Sequence, residues 1–123
     1  MSWSQNRGLV RAISIRQPYV ELILRRDKTR EYRSRPTSIR ERVYLYASLR
    51  PAEWASEWRR VGKRPGDLPT GVILGSVEIV DCRWDNRRRC FAYVLNAPKR
   101  LAKHKRPIGR PTPCFWRPRF TKT

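Results

Sequence analysis

The chain has 123 residues, 39% of them hydrophobic, with 29 Lys plus Arg against 10 Asp plus Glu and a formal net charge of +19. That length sets one domain with a modest core, and that charge attracts polyanions, nucleic acid before any other. A membrane partner fits less well: no long basic amphipathic helix is visible, and no apolar run approaches a membrane-spanning length.

Residues 1–11 lack the apolar core and cleavage site of a secretory signal, and residues 1–8 read as a flexible lead-in. Residues 9–15, with Val10, Ile13 and Ile15, form the first expected strand. Pro18 then suits the first position of a helix running to about Arg26, since its missing N–H costs nothing there. Tyr19, Leu22 and Ile23 give that helix one apolar stripe. After Asp27 the pattern becomes alternating, with Thr29, Glu31 and Arg33 on one face of a strand and Arg30 and Tyr32 on the other. Lys28 stands at the entry to this strand, beside the same groove. Residues 34–40, with Pro36, are a loop.

Residues 42–48 alternate again, predicting Val43, Leu45 and Ala47 inward and Tyr44, Tyr46 and Ser48 outward or toward a cleft. Pro51 opens a second expected helix whose Trp54, Trp58 and Val61 share a face that covers one end of the core. Residues 62–71 are a long turn. Residues 72–82 are the strongest strand, with Gly75 as a bulge or close-approach point. Residues 85–89 connect this strand to another at 90–95. Beyond Ala97, five prolines exclude a helix; Phe115 and Trp116 anchor a short closing strand, and 121–123 fray. About six strands and two helices predict a small α+β barrel in preference to a parallel α/β sheet.

The chemistry is unevenly spread. Cys82, Cys90 and Cys114 are odd in number and widely spaced, matching neither a disulfide framework nor a paired zinc pattern, so reduced thiols and a cytoplasmic location are expected. His104 is the one histidine and has no Cys or Asp cluster beside it; no metal and no cofactor are expected. Basic residues are densest at 25–35, 59–64, 87–89 and 99–110, enough to neutralise phosphates. Tyr19, Tyr46, Tyr93 and Trp116 are candidate platforms for stacked bases. Lys28, Glu31 and Arg33, at a helix-to-strand junction, can together donate to and accept from a base edge. The plainer alternative is an ion pair that fixes the turn, which contributes little if exposed.

The run Ser14-x-Arg16-Gln17-Pro18-Tyr19, followed by Lys28-Thr29-x-Glu31-x-Arg33, resembles the signature of the ASCH domain family. Residues 42–48, 71–82 and 93–98 fit as well, so the resemblance covers most of 9–117 and leaves 118–123 as a tail. It implies a PUA-like fold, a small β-barrel with a helix covering a cleft. One departure is that members commonly have Gly shortly before the Lys, where this chain has Arg26-Asp27. On this frame Lys28, Thr29, Glu31 and Arg33 line the cleft, and Gln17 and Pro18 shape its helical wall. Arg16, Arg35, Arg40, Lys103, Lys105 and Arg106 are expected to meet phosphates, with Tyr46 at the cleft.

The expected function is therefore nucleic-acid binding by a monomer, RNA favoured over DNA, with a free nucleoside as a further candidate ligand. The alternative is hydrolysis. Some relatives hydrolyse N4-acetylcytidine with a Lys, a Thr and a Glu. Lys28 matches that Lys, and burial among cations would lower its pKa, but Glu31 stands where those relatives have Thr. The adjacent Thr29 is not equivalent; Thr29 or a water would attack, with Glu31 or Glu78 moving protons, and Glu78 is the candidate for the remaining Glu. Other relatives cut RNA, although no residue here singles that out. A protein-interaction module using the Trp54 and Trp58 face is the third possibility.

Overall fold

A computed structural model describes residues 11–121; the expected lead-in, residues 9–10 of the first strand and residues 122–123 lie outside it. The elements are β1 (Ala12–Ile15), α1 (Tyr19–Leu24), β2 (Arg30–Arg33), β3 (Arg42–Ala47), α2 (Ala55–Val61), β4 (Val72–Asp85), β5 (Cys90–Lys105) and β6 (Phe115–Trp116). The six strands form one sheet in the order β2-β5-β4-β3-β1-β6. β1 pairs parallel to β3, and every other neighbouring pair is antiparallel. This is the expected α+β class.

The barrel is not closed by a backbone ladder; side chains bridge its seam. Arg33 on the edge strand β2 donates Nη2 to the Ser14 carbonyl of β1 (2.6 Å) and Nη1 to the Pro113 carbonyl (3.1 Å). Tyr93 of β5 stacks on Phe115 of β6 with centroids 6.1 Å apart. Contacts between opposite ends of the strand order require a sheet curled back on itself.

Both faces of β3 are buried, which explains why its alternation did not separate core from cleft. Val43, Leu45 and Ala47 join the main core with Ile13, Ile15, Val77 and Ile79. Tyr44 and Tyr46 join a second cluster with Ala12, Ile73 and Trp116. Each fully buried aliphatic side chain contributes about 1.5–3 kcal/mol.

α1 is shorter than the expected 18–26, beginning after Pro18 and ending before Arg25. Gln17 holds its start: Oε1 accepts the Glu21 N–H and Nε2 donates to the Pro69 carbonyl. Its end is set by Arg26 at φ 69, a left-handed turn that lets the Asp27 and Lys28 N–H groups both bond the Leu22 carbonyl. Glycine adopts that conformation freely and other residues adopt it under strain. The glycine expected near this point in the family therefore has a backbone reason, which Arg26 meets at a cost.

α2 begins at Ala55, with Trp54 as an extended cap at ψ 109. Pro51 does not open it, and the two tryptophans do not share a face. Trp54 is 70% exposed, whereas Trp58 is buried with Leu22 and Val61 and donates to the Ala52 carbonyl.

β5 runs ten residues past the expected end at 95, to Lys105. The prolines did not stop it because the ladder bulges where the first one falls. Ser76 pairs with Lys99 and Glu78 with Asn96, leaving Ala97 and Pro98 opposite Val77. A bulged residue owes the ladder no N–H. Gly75 has both expected features: the register shifts beside it, and an added Cβ would meet the Lys99 carbonyl and Leu24 Cδ2.

Candidate functional site

β2 lies at the edge of the sheet, bonded to β5 on one side only. The Leu95 N–H bonds the Thr29 carbonyl, so Thr29, Glu31 and Arg33 turn their backbone toward β5. Arg30 and Tyr32 turn theirs to the open edge. Along that edge runs a cleft of about 700 Å³, walled by Tyr19 of α1, Glu57 and Arg60 of α2, and Arg88 of the β4–β5 turn. A second cleft of about 430 Å³ adjoins it, lined by Ser14, Arg16, Arg33, Ser48, Arg50 and Pro113. Tyr19 and Glu31 line both.

Lys28 is the centre of the larger cleft. Its Nζ lies 5.1 Å from the ring centroids of both Tyr19 and Tyr32 and 3.7 Å from Glu31 Oε1. Burial lowers its pKa below the usual lysine value, and Arg88 lowers it further; Glu31 and Glu57 partly offset that. The Arg88 guanidinium lies over Tyr32, 4.2 Å from the centroid. Glu31 is 8% exposed and its Oε2 accepts from Arg33 Nε at 2.8 Å. Burial, then Glu57 and Glu31, raise the Tyr19 phenol, so the ring stays neutral. The result is a cation–anion pair whose lysine is set against both tyrosine rings, with Arg88 against one of them.

The structure brings together Lys28, Thr29 and Glu31 in the larger cleft, and Arg16, Glu31 and Arg33 in the smaller. Arg33 is largely committed, with Nε on Glu31 and both Nη atoms on carbonyls. Gln17 is fully buried and caps α1, and Pro18 is that helix's cap residue, so both act behind the wall. Arg35 and Arg40 are exposed on the loop after β2; Arg40 Nη1 bonds the Thr37 and Ile39 carbonyls. Lys103, Lys105 and Arg106 are exposed on and just beyond the far end of β5, outside both clefts, with Lys105 Nζ over Phe120.

Two expectations are corrected. Tyr46 is 4% exposed and meets Trp116 edge-on at 5.1 Å, while Tyr93 is 1% exposed, so none of these three rings offers a face to a base. Glu78 lies opposite Arg42 and Asn96 on β4 and lines neither cleft, which removes it from Lys28. Sequence reasoning passed over Tyr32, Arg50, Glu57, Arg60 and Arg88 as site residues. Tyr32 was assigned to the face opposite Glu31, but at a sheet edge both faces reach the cleft. Arg88 was visible only as one of a basic group.

The ASCH domain family model matches residues 13–105. The chain belongs to the ASCH domain family. The match runs from β1 through the end of β5 and includes the whole Lys28–Glu31 pair and every wall of the larger cleft. The smaller cleft's Pro113 and strand β6 lie beyond it. No curated protein matches the chain in a sequence comparison. Among the described residues, no helix of this ASCH domain is long and apolar enough to cross a membrane.

Proposed function

We propose that this ASCH domain binds nucleic acid, RNA in preference to DNA, and takes a base into the larger cleft. The observation that carries this reading is the Lys28 donor beside the Glu31 acceptor between the rings of Tyr19 and Tyr32. A base needs flat apolar contact on its faces and donors and acceptors on its edge. The Lys28–Glu31 pair supplies the edge groups, and the tyrosine rings supply the flat contact where the base takes the place of Lys28 and Arg88 over them. Family membership and the charge of +19 support the partner class. The Glu31 carboxylate repels phosphate and accepts from an amino group or a ribose 2′-OH, which favours RNA. Three free thiols fit a cytoplasmic protein, and the reading takes it to act as a monomer.

The test is binding to single-stranded RNA, duplex RNA and DNA across a salt series, with Lys28→Ala alongside. Tight RNA binding that falls steeply with salt and is weakened by Lys28→Ala is expected. A flat salt response, or full affinity in the variant, overturns the reading.

One observation favours a second reading, hydrolysis of an acylated nucleoside such as N4-acetylcytidine. Burial lowers the pKa of Lys28, bringing its amine closer to the free base that proton transfer requires. Glu31 is the nearby carboxylate, and Thr29 lines the same cleft without occupying the relatives' Thr position. Deacetylation that disappears in Lys28→Ala would establish this activity; binding without turnover leaves the domain a reader of bases.

A further inference from the structure

The two clefts are one groove with a septum. Tyr19 and Glu31 line both, and the Glu31 carboxylate divides them: Oε1 faces Lys28 in the larger, and Oε2 holds Arg33 beside the smaller. Each cleft alone is of a size that takes a drug-sized ligand. A lone nucleoside therefore fills one and leaves the other empty.

The two clefts carry similar unshared cations. Arg60 and Arg88 line the larger cleft alone, Arg16 and Arg50 the smaller alone, and all four are exposed. Arg60 and Arg88 each meet one carboxylate, Glu57 at 3.0 Å and Asp85 at 3.5 Å. Such exposed pairs exchange readily. Arg16 and Arg50 form no salt bridge among the described residues. The buried Glu31 carboxylate is shared by the two clefts, each of which has exposed arginines of its own, while Asp27 and Glu57 also line the larger. Phosphates belong at those arginines, and the sugar or base edge belongs at the septum.

We propose that the groove's ligand is a single polynucleotide strand that crosses from Arg88 to Arg16 over Glu31, placing consecutive nucleotides in the two clefts. This rests on the base-binding reading of the larger cleft and adds the strand, its path and its minimum length. A free nucleoside is then a partial ligand.

The test measures the affinity of mono-, di-, tri- and hexaribonucleotides for the full chain at fixed salt, then for Arg16→Ala and Arg50→Ala. Affinity is expected to rise about tenfold or more from one nucleotide to three and then level off. Arg16→Ala should weaken the trinucleotide on the order of tenfold and reduce the salt slope by about 0.7, the loss of one single-strand phosphate contact. Mononucleotide affinity in that variant should stay near the parent value. Arg50→Ala should repeat the pattern and guards against a folding defect in either variant alone. A mononucleotide bound as tightly as a trinucleotide overturns the proposal, as does a trinucleotide indifferent to both variants. Absence of binding at every length overturns the base-binding reading and this one with it.

Discussion

Glu31→Gln separates a structural role of the central carboxylate from the recognition role proposed for it. Glu31 Oε2 accepts a charge-assisted bond from Arg33 at 2.8 Å, and Oε1 faces Lys28 at 3.7 Å. Glutamine keeps an acceptor for Arg33 but replaces an ion-paired bond with one from a cation to a neutral oxygen, a loss of about 1–1.5 kcal/mol. Lys28 loses its nearest anion while remaining buried, which adds on the order of 1 kcal/mol. The sum, about 2–3 kcal/mol, lies below the total stability of an ordinary domain, so the variant folds. At roughly 3–5 °C per kcal/mol for a chain of this size, Tm falls by about 6–15 °C. Glu31 also raises the pKa of Lys28 against the effect of burial, so its removal lowers that pKa further. The assay is a thermal melt, an NMR titration of the Lys28 ε-carbon, and RNA affinity at a temperature where both proteins are folded. An unchanged melt and an unchanged Lys28 titration would refute the coupling; unchanged RNA affinity would leave Glu31 a structural residue only.

Arg33→Lys removes the planar fork that ties β2 to β1 and the Pro113 carbonyl, costing about 2–3 kcal/mol; faster amide exchange in β2 than in β4 would report a loosened seam. Burial pushes the Glu21 carboxyl up, but hydrogen bonds from Arg100 and Arg25 outweigh it and hold the pKa below 4.5. Its contribution to stability is therefore complete above that value and lost as pH falls through the lower folded value. Glu21→Gln should flatten the acid limb of urea midpoints measured between about pH 6 and pH 3; an unchanged limb would mean that other carboxylates set it. Trp54→Ala should change stability by no more than about 0.5 kcal/mol and leave RNA affinity unaltered; loss of affinity would move the interface to the α2 cap.

The helix-to-strand stretch was legible because its local rules agree: a helix start after Gln17-Pro18, a stripe at Tyr19, Leu22 and Ile23, then alternation through Lys28 and Arg33. Neighbours in sequence were also neighbours in the site. Tyr46 and Tyr93 were not legible, because alternation says which residues share a face and not whether that face is covered. The 108–120 segment and Trp116 cover it here, and nothing near Tyr46 in sequence announces them. The extent of β5 was hidden for a different reason. Proline forbids a ladder bond, but the bulge opposite Val77 removed the need for one at Pro98. Arg88 reaches Tyr32 across 56 positions of chain (88 − 32) through the β5–β2 pairing, a contact made by topology alone.

The charge of the whole chain and the charge of the cleft point different ways, and on the proposed reading the difference sorts phosphate from base. Cations outnumber anions 29 to 10 over the chain, yet the larger cleft is lined by Asp27, Glu31 and Glu57 against Lys28, Arg30, Arg60 and Arg88. At a physiological Debye length of about 8 Å, a polyanion at the surface meets the local charges more than the sum. On the proposed reading, the excess of arginine elsewhere would draw a strand in and hold its phosphates at the rim. A nearly balanced interior gives a phosphate no reason to enter. A base does have one, because stacking against Tyr19 and Tyr32 costs no charge transfer into a buried site, and the Lys28–Glu31 pair replaces the hydrogen bonds its edge gives up to water. A chain built only to hold phosphates would gain by placing a neutral residue or a cation at position 31. The buried carboxylate there fits the proposed reading, in which the site would recognise the base and not the backbone.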